Sequence, residues 1–261
     1  MPLRNTSSDW IPGPKEIVTS RDCLDIIYRD THLIAINKPA GLLVHPSLVD
    51  KHEKRSAMTL LRDQIGQYVY PVHRLDKPTS GVLLFALSSE MARNLSAQFS
   101  DKLVIKQYLA VVRGYTALSD TVDYPLKEKL DKMTDRRARI SKPPQPAITK
   151  YHRLGTLDLP FCVDRYPTSR YSLVRINPLT GRKHQIRRHF KHLSHPIIGD
   201  TSYGKTNHNH FFAEQFGCRR LLLAATQMEI MHPVSGEPLV LEAALDNVFR
   251  KIEGIFIKQA T

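Results

Sequence analysis

His73-Arg74-Leu75-Asp76-Lys77-Pro78-Thr79-Ser80-Gly81-Val82-Leu83-Leu84 sets an acid among basic residues in a short polar stretch. The chain then passes directly into an apolar run that continues through Phe85-Ala86-Leu87. Pro78 and Gly81 mark a turn, and the run after them reads as a buried strand. A loop residue pinned against the end of such a strand is held in place by the scaffold and suits chemistry. For an isolated aspartate the plainer reading is a turn residue whose carboxylate caps backbone N–H groups. The rest of the chain decides between the two.

Upstream, ordered structure is expected to begin at Leu24-Asp25-Ile26-Ile27-Tyr28, followed by a turn at Arg29-Asp30-Thr31 and a strand over His32–Asn37. Lys38-Pro39-Ala40-Gly41 is a second turn, before the apolar Leu42-Leu43-Val44. Ser56 is placed to N-cap a helix whose apolar residues Met58, Leu61 and Ile65 recur at helical spacing. Downstream, Ser88 or Ser89 starts a helix with Met91, Leu95 and Phe99 on one face. Ile105–Val112 alternates as a strand, with Tyr108, Ala110 and Val112 sharing one side.

Further on, Tyr171–Ile176 reads as a strand leading into Asn177-Pro178-Leu179-Thr180-Gly181. A helix over 182–193 turns Ile186, Phe190 and Leu193 inward, and His195-Pro196 ends it. Residues 201–217 read as a polar loop. Leu221–Met231 and Val240–Ala244 form a hairpin pair. Strands outnumber helices and follow one another through short turns, which predicts an α+β fold with a mixed, largely antiparallel central sheet and flanking helices. Residues 1–22 read as a flexible arm and 23–261 as a single domain. A basic insertion around 127–150 is rich in Lys and Arg and broken by Pro143-Pro144-Gln145-Pro146.

The 261-residue chain is long enough for a substantial core. It carries 38 Lys+Arg against 25 Asp+Glu, an excess that points to a polyanionic partner and above all to nucleic acid. No run approaches the roughly 20 apolar residues that span a bilayer, so no membrane association is expected. Cys23, Cys162 and Cys218 are scattered without CxxC spacing. They indicate neither a disulfide framework nor a zinc ribbon, and fit a reduced, cytoplasmic protein.

A second constellation is Thr180-Gly181-Arg182-Lys183-His184-Gln185-Ile186-Arg187-Arg188-His189. Thr180 is expected to cap a helix whose first turn offers free N–H groups to phosphate. Arg182, Lys183, Arg187, Arg188 and Lys191 add cations. A solvated basic helix is the plain alternative, but no acidic residue lies between Arg165 and Asp200, so the helix has no acid of its own to pair with. His184, His189, His192 and His195 have spacings that could reach an ion. Their Arg and Lys neighbours repel a cation, so packed or RNA-facing histidines are expected and no metal. Tyr108 reads either as a core aromatic or as a ring that stacks on a base.

Taken in order, these pieces resemble the RluA family of pseudouridine synthases, over about Asp25 to Ala244. The stretches that carry it are Asn37-Lys38-Pro39-Ala40-Gly41-Leu42, His73–Leu84, the Tyr108 strand, Thr180–His189 and His195-Pro196-Ile197-Ile198-Gly199-Asp200. Glu128-Lys129-Leu130-Asp131-Lys132, Arg165–Tyr171 and Arg187–Pro196 are most similar to the TruC branch, the tRNA pseudouridine-65 synthases. The resemblance implies a pseudouridine synthase fold with a central RNA-binding cleft. It also implies isomerisation of a uridine by breaking its N1–C1′ bond and rejoining through C5, without metal or organic cofactor.

On this resemblance Asp76 is the catalytic carboxylate and Arg187 the arginine that pairs with it, keeping it ionised through a bidentate contact. Tyr108 lies against the uracil and is a candidate to help remove the C5 proton. A stacked uridine must be flipped out, and Arg74 matches the arginine that fills the vacated stack. Thr180, Arg182, Lys183 and Arg188 are expected to bind the RNA, while His73 and Thr79 shape the loop. Many relatives carry His where Ala224 stands, and the arm leaves no room for an S4-type RNA-binding domain.

The expected partner is tRNA, with ribosomal RNA as the runner-up, acted on by a monomer with no obligate protein partner. A non-catalytic RNA-binding protein is a second class, disfavoured because RNA binding alone needs no carboxylate facing the anion. A glycoside hydrolase would want two carboxylates flanking the sugar, and the motifs around Asp76 offer no second acid.

Overall fold

The computed structural model describes residues 23–46, 55–128 and 143–259. The N-terminal arm and most of the basic insertion lie outside the described residues. In chain order the elements are β1 (Asp25–Arg29), β2 (Leu33–Lys38), α1 (Ala57–Ile65), β3 (Tyr70–Pro71), β4 (Ser80–Ala86) and α2 (Ser89–Ser100). Then follow β5 (Ile105–Arg113), β6 (Ser119–Asp123), β7 (Ile148–Leu159), β8 (Ser169–Pro178), α3 (Gln185–His192) and α4 (Thr206–Phe216). β9 (Leu223–Met231), β10 (Pro238–Glu242) and α5 (Asn247–Gln259) complete the fold.

One mixed sheet runs β1-β2-β4-β9-β5-β8-β7-β6, with β3 on β4 and β10 on β9. Every pairing is antiparallel but that of β4 with β9, which joins only Ser80 to Ala224 and Gly81 to Ala225. Two half-sheets therefore meet along a two-residue seam. Helices cover both faces, which is why β2, β4 and the middle of β5 are apolar without alternation. On the β1-β2-β4 half, α1 packs Ala57 and Leu61 against Ile34, Ile36, Leu83 and Phe85. α2 packs Met91 and Leu95 against Leu33, Val82 and Leu84 on the other face. On the second half, α3 sets Ile186 and Phe190 against Ala110, Val112 and Val174. α4 and α5 bury Phe211, Phe212, Phe249 and Phe256 against Leu109, Val111 and Tyr171.

Local signals set several boundaries. Ser56 caps α1 in a reciprocal box with Thr59, and Ser88 caps α2 through Met91 N. Three expectations are corrected. The 201–217 segment is not a loop, because Phe211 and Phe212 draw α4 onto the sheet despite its polar flanks. The far end of the basic stretch is not a surface insertion, since Ile148–Leu159 is a full strand between β6 and β8. The helix expected over 182–193 begins only at Gln185.

The seam depends on Gly81. Its φ is +110°, and a Cβ built there would lie 2.0 Å from the carbonyl oxygen of Ala225. Only glycine allows both the backbone angle and the approach of β9. Arg220 ties the same place from the other side, donating to Ser80 Oγ at 2.9 Å and Leu223 O at 3.1 Å and pairing with Asp246. Gly81→Ala is expected to destabilise the protein by roughly 3–5 kcal/mol, measured by urea or thermal unfolding. A change within about 0.5 kcal/mol would mean that the seam is not a close-packed joint.

Candidate active site

The loop before β4 delivers Asp76 to the seam. Thr79 N–H donates to the Asp76 carbonyl at 3.0 Å, so the turn is closed by backbone alone and does not consume the carboxylate. From β2, the fully buried Lys38 reaches under the loop. Its Nζ donates to Pro39 O and Leu42 O at 2.9 Å each, and to Lys77 O at 3.2 Å. Gly41 N–H donates to the same Lys77 carbonyl at 2.8 Å. The 39–42 turn and the residue after Asp76 are thereby fastened to one ammonium. Burial and the nearby Arg220 charge push Lys38 down to about 7, while Asp76 pulls it the other way. Three carbonyl acceptors around one nitrogen favour the form with three protons.

Arg187, on the first turn of α3, meets the carboxylate from across the seam. Its Nη1 donates to Asp76 Oδ2 at 3.2 Å. The bidentate contact goes elsewhere. Nε and Nη2 donate to the two oxygens of Asp200 at 2.7 and 2.8 Å, and both of these side chains are buried. Asp200 also accepts the N–H groups of Ser202 and Tyr203 at 2.8 and 2.9 Å. Burial disfavours both charges, but each carries the other. Arg187 rises above its ordinary value, and Asp200 falls below its own as Arg187 and the two N–H groups offset its burial. The expected Arg187–Asp76 pairing is therefore single, not forked. A second acid does stand behind the site, but with its charge already committed to Arg187.

Tyr108 lies half-buried between the cores of the two half-sheets, packed with Leu75 and Ala225 on one side and Ala110 and Ile186 on the other. Burial and the Asp76 charge raise its phenol above its usual range, so the ring stays neutral. That suits a wall against a flat base better than a phenolate that takes a proton. His73 accepts Leu84 N–H through Nε2 at 2.9 Å and stacks on Phe99 at 5.0 Å; burial keeps it unprotonated. It shapes the loop. Arg74 is exposed, two residues before Asp76.

Among the expected RNA contacts, Arg182 and Lys183 are exposed and Arg188 is partly exposed. Arg182 also donates from Nε to Pro146 O at 3.2 Å. Thr180 is corrected: it does not cap the helix. Its buried hydroxyl accepts Ile148 N–H at 2.9 Å and donates to Gln185 Oε1 at 2.7 Å, locking the 180–185 turn to β7. The same Gln185 oxygen accepts Arg182 N–H at 3.0 Å. The Thr180 hydroxyl is thus engaged within the fold. The four histidines have four different surroundings. His184 bonds Tyr203 Oη, His189 bonds Thr149 and Tyr124, His192 stacks on Tyr124 and His195 bonds Arg113 O. No metal-binding cluster occurs among the described residues. Ala224 is buried in the core with Leu109 and Leu222.

Lys38, Asp200 and Tyr203 join the site through the fold alone. Lys38 and Asp200 stand inside recognisable motifs, but a lysine in a turn and an aspartate after Gly199 read as surface residues until their tertiary partners are known.

Asp200→Asn would leave the buried Arg187 with half its counter-charge removed. It is expected to cost roughly 3–5 kcal/mol. Because the folded pKa of Asp200 is depressed, its contribution is complete above the ordinary aspartate value of 3.8 and is lost as pH falls below it. Urea unfolding of both proteins from about pH 7 downward checks this. The stability gap should narrow on acidification, and a constant gap would remove the charge from the account.

Comparisons with known proteins place this geometry. A family model described as RNA pseudouridylate synthase matches residues 32–192, which include Lys38, Asp76, Tyr108 and Arg187. The chain is 53% identical over 233 residues to tRNA pseudouridine synthase C of Pasteurella multocida (strain Pm70), covering 89% of this chain and 96% of that protein. It is 51% identical to the protein of the same name from Yersinia pestis, covering 89% and 91%. Among solved structures it is similar to human RNA pseudouridylate synthase domain containing 4, with a TM-score of 0.67, 27% identity and coverage of 89% and 93%. With an acid, its arginine and a neutral ring gathered at one seam, and with these matches over most of its length, the chain belongs to the RNA pseudouridylate synthase family.

Proposed function

We propose that this protein isomerises a uridine of tRNA to pseudouridine, at uridine-65 in the T stem. The observation that carries the reading is the Asp76 carboxylate, held at 3.2 Å by Arg187, in a chain about half identical to proteins named tRNA pseudouridine synthase C. The net charge of +13 suits a polyanionic substrate.

The reaction is an isomerisation, so its atoms balance within the nucleotide. The N1–C1′ bond breaks, the uracil turns, C5 bonds C1′, the C5 proton leaves and N1 gains one. Asp76 serves the electron-poor C1′, by attack or by charge. Arg187 keeps the carboxylate oriented through its contact with Oδ2. Tyr108 supplies a flat face for the base. A uridine in a stem must leave its stack first, and Arg74 fills the gap with a planar cation. Arg182, Lys183 and Arg188 on and before α3 contact phosphate.

Pseudouridine mapped in total tRNA and rRNA from cells carrying the wild-type protein, Asp76→Asn, or no protein tests the assignment. A single T-stem pseudouridine should disappear from both altered strains. Loss of a ribosomal site instead would move the substrate to rRNA, and no change at any site would end the enzymatic reading. Arg74→Ala should slow turnover on folded tRNA by at least about tenfold while RNA binding survives. Unchanged turnover would remove Arg74 from base displacement.

A further inference from the structure

We propose that His184 is a positioning residue for Asp76, and that Tyr203 makes it one by fixing its tautomer. The inference rests on the pseudouridine synthase reading and adds two residues to that site. Arg187 addresses only one oxygen of the catalytic carboxylate, Oδ2. The other, Oδ1, lies 3.8 Å from His184 Nε2. The opposite ring nitrogen, Nδ1, is 2.9 Å from the hydroxyl of the buried Tyr203. Phenol, imidazole and carboxylate thus stand in a row.

The proton positions follow from charge. A carboxylate beside Nε2 favours the tautomer with its proton there, which leaves Nδ1 as an acceptor and Tyr203 as the donor. Two cations lie over the Tyr203 ring, Arg187 at 5.1 Å and Lys191 at 5.9 Å. They favour electron withdrawal from the phenol, and so the donor role of its hydroxyl. Tyr203 follows Asp200 closely and donates its own N–H to that carboxylate at 2.9 Å. The Asp200 segment therefore sets both partners of Asp76, Arg187 directly and His184 through Tyr203. At 3.8 Å the Nε2–Oδ1 contact is longer than a hydrogen bond; such contacts tighten when the reacting complex forms. With Nη1 on one oxygen and Nε2–H on the other, the plane of the carboxylate is fixed relative to C1′.

The backbone at this position decides which variant tests the ring. His184 has φ +56°, in the left-handed region, at the residue before α3. Glycine occupies that region most readily. The same fact makes His184→Gly a clean variant, since it removes the ring at a position whose backbone suits the replacement.

The test uses the full chain and an unmodified tRNA transcript, following pseudouridine formation at several RNA concentrations. His184→Gly should keep the fold by circular dichroism and keep KM near the wild-type value. Its kcat should fall roughly 10- to 100-fold, the scale set by a small misplacement of a reacting group. Millimolar imidazole should restore part of that loss, which a purely structural role would not allow. Tyr203→Phe should lower kcat in the same direction but by less, with KM again unchanged. Wild-type kcat in His184→Gly, a loss confined to KM, or a loss that imidazole leaves untouched would each overturn the inference while the function stands. A wild-type protein that forms no pseudouridine on the transcript would overturn the function, and the inference with it.

Discussion

The arrangement turns on one guanidinium. Arg187 is buried, and a buried cation with a single, partly exposed partner would be costly. Asp200 removes that cost by accepting from Nε and Nη2, which leaves Nη1 for Asp76. Sharing the arginine with a deeper acid leaves Asp76 held by Arg187 through one oxygen alone, at 3.2 Å.

Around that pair, the sheet supplies position. Asp76 enters from the loop before β4, Tyr108 comes from β5 and Arg187 from a helix packed on β5 and β8. They converge because β4 and β9 meet for only two residue pairs, which brings a loop from one half-sheet against the helix face of the other. Lys38 fastens the loop from below with three carbonyl contacts. A buried lysine in that role is costly, and its lowered pKa reflects the desolvation.

Much of this is legible in the amino-acid sequence. The apolar runs after His32 and Ser80, the capping serines at 56 and 88, and the β9–β10 hairpin are local patterns, and local patterns survive folding. Asp76, Tyr108 and Arg187 stand out because their motifs resemble a family's. What the sequence hides is whatever depends on distant partners. Thr180 has the chemistry of a helix cap, but β7 offers its hydroxyl a better bond at Ile148, and the helix begins only at Gln185. α4 hides behind Thr206, Asn207 and Asn209, residues that read as a loop until Phe211 and Phe212 find the sheet. The fork of Arg187 goes to Asp200 instead of Asp76, and nothing local in the Gly199-Asp200 motif signals that its carboxylate points inward.

The Asp76–Arg187 contact also bears on how the molecule is made. Its partners are 111 positions apart, and the seam beside them joins residues even more remote. Contacts of such long range form late, because the loop must close before they repay it. A chain emerging from the ribosome displays Asp76 and Tyr108 well before Arg187 exists to orient the acid. The arrangement of Asp76 and Arg187 is thus a property of the finished sheet, absent until both half-sheets have paired across β4 and β9.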